Sequence, residues 1–409
     1  MELVFSDQPF PKSIRQSIFL AGPSPRNNWD DSWRYEAIRI LEDRGFDGTV
    51  FIPVPFDKWN EHSTDEEKIT AALVNDSPPF NYDHQIWWEL QGRRMADVIL
   101  FWVDRDVSAG RLALTTNIEF GEDLSSGKMI YGRPKEAKHC RYMDLRYMNA
   151  TGHPLTDDLG DLIEQAMFYS SSPTGKRQDA QRTGGEVYVP VMIWASPQFQ
   201  SWYKAQLAVG NRLEDADVKY VHHTRNHGDL FAFIIQVSVY VAAEDRIKDN
   251  EFVFSRKDIS SIIPYYQTNT GETFVVLVKE FRSPVRNASG YVYELAGGSS
   301  VDPVGAKENA ALELKEELGI TIDDHDRFEF VSERQLCATL CSHTSSVYAI
   351  RLDWKEYTSI IQSAYEKKSF GIQDDSEITY AEIIELKDIT KLDLDYSMLG
   401  MILSYFHNK

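Results

Sequence analysis

The stretch GSSVDPVGAKENAALELKEELGI, residues 298–320, places Glu313, Glu316 and Glu317 three and four residues apart, just ahead of a glycine. On a helix over 310–318 those offsets bring the carboxylates onto one face. Acidic residues late in a helix oppose the macrodipole, and like charges held this close repel one another. A solvated acidic face is one reading of such a run. A hard cation between the carboxylates is the other, and oxygen ligands of this kind suit Mg²⁺ or Mn²⁺ rather than zinc.

The same stretch resembles the signature of the Nudix hydrolases, a Gly and an Arg-Glu-aliphatic-x-Glu-Glu-x-Gly-aliphatic run at fixed spacing. Gly298, Glu313, Leu314, Glu316, Glu317, Gly319 and Ile320 fall in register without a gap. Two positions depart: Val304 stands at the first Glu of the pattern and Leu312 at the Arg before Glu313. Upstream, VVLVKEFRSPVRNASGYVYELAGG (275–298) resembles the ADP-ribose and ADP-sugar pyrophosphatase branch, with Arg282 and Glu294 at its basic and acidic positions. The resemblance implies Glu313, Glu316 and Glu317 as metal ligands and Arg282 and Glu294 as substrate contacts. It also implies hydrolysis of a nucleoside diphosphate derivative such as ADP-ribose or a nucleotide sugar. The box lacks a general base; Glu366, Asp374 and Asp375 are loop candidates.

With 409 residues the chain has room for two domains with sizeable cores. A net charge of −20 lacks the basic footprint that binding to a phosphate backbone requires, so long nucleic acid is not an expected partner. A small phosphorylated ligand remains compatible, because a local Arg or a metal overrides the global sign. The three cysteines, Cys140, Cys337 and Cys341, form no CxxC pair, which points to a reducing, cytoplasmic setting. The opening MELVFSDQPFPKS does not read as a secretory signal, and no run reaches the roughly 18 apolar residues of a membrane span.

Residues 170–185, SSSPTGKRQDAQRTGG, are polar and aperiodic and read as a linker between a domain at 1–169 and one at 186–409. Before it, apolar runs at 17–21, 50–53, 98–103 and 128–131 alternate with helical patterns at 31–44, 86–95, 118–124 and 155–168, as in a parallel α/β sheet. After it, VYVPVMIWA (187–195) reads as a strand and 197–209 as a helix. Further strands follow at 230–243, 274–281 and 347–354, and a terminal helix at 392–406. The fold class expected is α/β. A parallel-sheet, flavodoxin- or Rossmann-like domain precedes a Nudix α/β/α sandwich with a small accessory β-sheet at 186–255. That accessory sheet resembles the one by which ADP-ribose pyrophosphatases dimerise, which implies a homodimer through the Nudix half.

In the first domain, SIFLAGPSPRNNW puts Gly22 at a strand end, where backbone N–H groups can approach a sugar or phosphate. WELQGRRMADVILFWVD places Glu89 on a helix feeding a buried strand, and TTNIEFGE places Glu119 at a helix start beside Asn117. Two carboxylates at the carboxyl ends of parallel strands can supply the nucleophile and the general acid/base of glycosyl transfer. Equally, Glu119 could stabilise a helix N-terminus and Glu89 could be an ordinary surface residue. Together the segments, from 17 to 142, resemble the nucleoside 2-deoxyribosyltransferase family. The resemblance implies that Glu119 attacks C1′ and that Glu89 assists base departure or orients the sugar. It also implies Phe19, Gly22 and Asn117 as pocket residues, Phe19 standing where some relatives have Tyr. Arg26, Arg93 and Arg94 are candidates for a 5′-phosphate. The chain therefore reads as a two-domain enzyme of small nucleotides. The alternative is a sensor, whose degenerate Nudix half binds nucleotide without turnover and regulates glycosyl transfer.

Overall fold

The computed structural model describes residues 1–24, 32–56, 82–108, 110–171, 181–223, 230–299, 304–371 and 377–407. Contacts divide the chain into two compact units, Met1–Ser255 and Arg256–Lys409. Among the described residues, no helix is long and apolar enough to cross a membrane.

The first unit runs β1 (Glu2–Phe5), β2 (Ser13–Ile14), β3 (Ser17–Ala21), α1 (Trp33–Asp43), β4 (Thr49–Ile52), α2 (Tyr82–Met95), β5 (Val98–Trp102), α3 (Leu114–Asp123) and β6 (Met129–Gly132). It continues with α4 (Arg141–Thr151), α5 (Leu159–Ser171), β7 (Arg182–Thr183), α6 (Val191–Trp194), α7 (Pro197–Ala208), β8 (Arg212–His223), β9 (Leu230–Val241) and β10 (Arg246–Arg256). Five strands form a parallel sheet in the order β1-β4-β3-β5-β6. Every residue of β3, β4 and β5 is buried, which is why these strands read as continuous apolar runs. Alternation splits them between two cores. Ile18, Leu20, Val98 and Leu100 pack with α1 and α5, while Phe19, Ala21, Ile99 and Phe101 pack with α2, α3 and α4.

Several expectations change here. The run at 17–21 is not the first strand, because β1 precedes it and extends the sheet edge by pairing with β4. Residues 187–195 are not a strand: a 3-10 turn over Gly184–Tyr188 leads into α6, with Pro190 before the helix. The N–H of Val191 donates to Asp97 Oδ1 at 2.7 Å, so a buried carboxylate starts this helix. Part of the expected linker, 172–180, lies outside the described residues, but its end is built into the first unit. There β7 pairs with β2, and Arg182, with no exposed surface, donates Nη1 and Nη2 to the Asp97 carboxylate at 2.7 and 2.6 Å. The strands at 186–255, expected with the C-terminal half, also belong to the first unit. The physical ties are Arg94 Nη2 on the Asp215 carboxylate at 3.0 Å and Gly185, whose Cβ would lie 2.4 Å from the Glu214 backbone. The sheet on which the expected homodimer rested is thus part of the other half.

Removing one partner of the buried pair strands the other's charge. Asp97→Ala is expected to destabilise the first unit by about 3–5 kcal/mol, read as a lowered urea midpoint; a change below about 1 kcal/mol contradicts the account.

The second unit runs β11 (Ile259–Gln267), β12 (Thr273–Phe281), β13 (Tyr291–Glu294), β14 (Ala296–Gly298), α8 (Ala306–Leu318), β15 (Glu329–Gln335), β16 (Thr344–Arg351), α9 (Trp354–Tyr365), β17 (Ser369–Phe370), β18 (Thr379–Glu385) and α10 (Tyr396–His407). Its mixed sheet has the order β15-β16-β11-β12-β18-β17, with β13 on β12 and β14 on β11. The β11–β16 pair is parallel and the other pairs are antiparallel. Ala310, Leu314 and Leu318 of α8 join Tyr357 and Ile360 of α9 in one core, and Ile402 and Tyr405 of α10 join the other. The two layers of helix sandwich the sheet.

Candidate functional site

In the first unit the chain leaves β3 for β4 on one side and later returns to β5 on the other. Such a switch point opens a crevice at the carboxyl ends of the strands. A cavity of about 200 Å³ lies there, lined among others by Gly22, Arg34, Glu89, Arg111, Ala113 and Glu119. Gly22 has φ +145°, and a Cβ on it would sit 2.2 Å from the Trp102 carbonyl oxygen, so this position is closed to every side chain. Gly22→Ala combines a strained backbone with an overlap, for an expected cost of about 3 kcal/mol. Chemical denaturation tests this, and an unchanged midpoint contradicts it.

Arg34 projects from the buried face of α1. Nε donates to Leu20 O at 3.1 Å, Nη2 to Gly22 O at 2.7 Å and Nη1 to Ser24 Oγ at 3.0 Å, which pins the loop leaving β3. Burial lowers its pKa to about 10, against the pull of Asp104, Glu89 and Glu119, so it remains charged near neutrality. Asp104, at the exit of β5, is raised by burial to about 6, with Arg111 and Arg34 opposing.

Ala113 begins α3 in the left-handed region, φ 56° and ψ 41°. A residue with a Cβ seldom sits there, and such strain gathers at functional sites. From this start α3 carries Glu119 to face Glu89 of α2, with the two carboxyl groups in hydrogen-bonding range. Burial first, then the charge of Glu89, raise Glu119 to about 7, with Arg93 opposing. Gln85 Nε2 donates to Glu89 Oε1 at 2.7 Å. Two carboxyl groups this close do not both ionise readily, so one proton belongs to the pair.

Of the residues expected in this pocket, Glu89, Glu119 and Gly22 line the cavity. Phe19 does not: its ring is buried under α2, against Trp88 and Gly92, and lies outside the cavity lining. Asn117 is turned away as well, its Oδ1 accepting from Arg105 Nη2. Arg93 is held by Asp123 and Glu122, and Arg94 by Asp215, so neither is free for a phosphate. Arg26 lies outside the described residues. Reading the sequence missed Arg34, Arg111 and Asp104. The available signal for Arg34 was a charged residue on the apolar face of an amphipathic helix.

In the second unit, Glu280, Glu317 and Glu377 each offer an oxygen within 4.8 Å of the others. Glu317 comes from α8, Glu280 from β12, and Glu377 from just before β18. Burial first, then Glu313, raise Glu317 well above the ordinary carboxylate range, although it accepts from Gly297 N–H at 2.9 Å. Burial likewise raises Glu280 to about 7, against Arg282. Glu313 is also raised to about 7, by burial and then by Glu316 and Glu377, with Arg256 opposing. Its carboxylate lies over Gly298, where a Cβ would be 2.4 Å from Oε1, so a side chain at that strand end would displace the Glu313 carboxylate.

Of the three expected metal ligands, the structure gathers Glu317 into the tight group and keeps Glu313 beside it. Glu316 is exposed and stands outside the group. Arg282 bridges Glu294 and Glu280, both at 2.8 Å, across the β12–β13 hairpin. Glu366 accepts from Gln362 within its own helix end, while Asp374 and Asp375 lie outside the described residues. Glu280, Glu377 and Arg256 were not singled out in the sequence. The donor set, all hard carboxylate oxygens, fits Mg²⁺ or Mn²⁺.

A family model described as "Nucleoside 2-deoxyribosyltransferase like" matches residues 15–137. No curated protein matches the chain. Among solved structures, the chain is similar to one described as an ADP compounds hydrolase, at 11% identity and TM-score 0.32, over 48% of this chain and 92% of that one. It is also similar to the NUDIX domain of Shewanella oneidensis NrtR complexed with ADP ribose, at 12% identity and TM-score 0.27, over 37% of this chain and 87% of that one.

Proposed function

We propose that the first unit cleaves, or exchanges the base of, a small (deoxy)nucleoside or nucleotide through Glu119. The observation that carries this reading is the contact of Glu119 with Glu89 inside a cavity at the sheet's switch point, within the stretch matched by the family model. While the pair holds one proton between them, the Glu119 carboxylate attacks C1′. A C1′–O bond forms and the C1′–N bond breaks; its electron pair leaves with the base, which takes up the proton. Water or a second base then resolves the ester and returns a proton to the pair.

The second unit is proposed to hydrolyse a phosphoanhydride in a nucleoside diphosphate derivative such as ADP-ribose or a nucleotide sugar. Glu280, Glu317 and Glu377, with Glu313 beside them, would hold Mg²⁺ or Mn²⁺. Held there, a divalent ion would supply neutralisation of charge on the pyrophosphate and a more acidic water. Arg256, close to Glu313, and Arg282, held on Glu280 and Glu294, offset part of the negative charge of this cluster. The sensor reading of this half is favoured by Leu312, uncharged and 44% exposed where the pattern has Arg.

Both readings meet one experiment. The purified protein is incubated with Mg²⁺ and a pool of ADP-ribose, nucleotide sugars, nucleosides and nucleotides, and products are followed by mass spectrometry. Free base together with new monophosphates is the expected result. Free base without metal-dependent anhydride cleavage favours the sensor, and no free base removes the glycosidic reading.

The pair also sets a pH dependence. Base release should fall as pH rises through about 7, where the shared proton is lost. The sign for stability is the same: a carboxyl raised on folding contributes fully below its ordinary value of 4.5, and this is lost as pH rises through about 7. Glu119→Gln should flatten that part of the stability–pH curve; an unaltered slope contradicts the assignment.

A further inference from the structure

One turn beyond the Glu89–Glu119 contact, α2 and α3 carry a second polar junction. Glu89 and Arg93 are four residues apart on α2, as are Glu119 and Asp123 on α3, so each pair stacks along its own helix. Arg93 is 6% exposed. Its two terminal nitrogens reach different carboxylates of α3, Nη1 to Asp123 Oδ2 at 2.7 Å and Nη2 to Glu122 Oε2 at 2.9 Å. The end of α2 is held too, since the buried Lys128 Nζ donates to the carbonyls of Arg93 at 2.6 Å and Arg94 at 3.0 Å. Gly92 sets the depth of the helix, because a Cβ there would meet the Phe19 ring at 2.9 Å. With α2 fixed at its end and against the sheet, Arg93 is the tie that sets its distance from α3.

We propose that Arg93 is a positioning residue for base release: its two-carboxylate hold on α3 fixes the helix spacing that keeps Glu89 and Glu119 in contact. The inference rests on the glycosidic reading of the first unit. Arg93 is not among the residues lining the cavity and acts through the pair. Its guanidinium also bears on Glu119 electrostatically. Glu119 faces Glu89 and Arg93 from α2, Asp123 from its own helix and Arg34 from α1; of these, the two arginines favour its ionised form. Phe19 and Gly92 therefore have a part in the site although neither touches the cavity.

The test uses the full chain with ¹³C-labelled glutamate carboxyls, assigned through Glu89→Gln and Glu119→Gln, alongside base-release kinetics. Arg93→Met should move the titration of the pair upward by about one pH unit, since an opposite charge within a few ångströms depresses a carboxyl by about that much. It should lower kcat by about 10- to 100-fold through misplacement, with KM within about twofold. Arg93→Lys restores the charge without the fork, so it should recover the titration and only part of kcat. Asp123→Asn should lower kcat in the natural chain and add nothing to Arg93→Met.

Unchanged titration and kcat in Arg93→Met overturn the proposal, as do additive effects of Arg93→Met and Asp123→Asn. If Arg93→Met does not fold, Arg93→Lys and Asp123→Asn carry the test, and wild-type kcat in both overturns it. If the natural chain releases no base, the glycosidic reading fails, while the titration still decides whether Arg93 holds the pair.

Discussion

Glu119→Ala is expected to lower base release by at least about 1,000-fold, the scale seen when a covalent nucleophile is removed, and to leave phosphoanhydride cleavage at its natural rate. The first expectation follows from the place of Glu119 in the cavity and its contact with Glu89. The second follows from the division of the chain, because Glu119 lies in Met1–Ser255 and the acidic cluster lies in Arg256–Lys409. Glu119→Gln is the gentler companion, keeping the volume and a hydrogen bond to Glu89 while removing the charge. Both variants should fold, since neither deletes a core side chain; denaturation midpoints check this. Residual base release within tenfold of the natural chain would remove Glu119 from the mechanism. Loss of both activities would mean that the two halves do not work as separate sites.

The second large effect concerns Glu317. It is 3% exposed, crowded by Glu313, Glu377 and Glu280, and its pKa is raised well above the ordinary range. Glu317→Gln keeps an acceptor for the Gly297 N–H but removes one charge from a group that repels itself. Without metal the variant should therefore be at least as stable as the natural chain. With Mg²⁺ or Mn²⁺ at a hundred times its Kd, the natural chain should gain about 2.7 kcal/mol; the variant should gain little, and anhydride cleavage should fall by about 1,000-fold or more. Thermal shift with and without metal reads the first effect and product analysis reads the second. Cleavage that persists in Glu317→Gln places the metal elsewhere. A metal-dependent shift without cleavage in the natural chain is the signature of the sensor.

Much of the architecture was legible because it rests on local patterns. The parallel sheet announced itself through strands buried on both faces, such as VILFW at 98–102, whose apolar runs are continuous rather than alternating. The helix read over 310–318 from the spacing of its glutamates ahead of a glycine is present and begins earlier, at Ala306, with Gly319 closing it at φ 70°. Residues 187–195 misled because nine mostly apolar residues look alike whether they extend or coil. The choice was made by Pro190 and by a carboxylate ninety-four positions away, Asp97. The polar run at 170–185 misled for a related reason: composition suggests solvent for Arg182, yet Asp97 makes complete burial possible.

By itself the sequence determined which residues could do chemistry: Glu89 and Glu119 in the first half, the glutamates of 313–317 in the second, and the glycines that only a close approach explains. Those are properties of residue type and spacing along one helix or strand. Only the tertiary structure decided which of them meet. Glu119 touches Glu89 because two helices from separate crossovers are brought together at the sheet's switch point. Glu317 is joined by Glu280 and Glu377 rather than by its neighbour Glu316, because residues one apart on a helix point in different directions, whereas a strand and a loop can present carboxylates to the same space. Asn117, close in sequence to the site, is kept from it by the hold of Arg105, and the Phe19 ring is covered by Gly92 and Trp88 of α2.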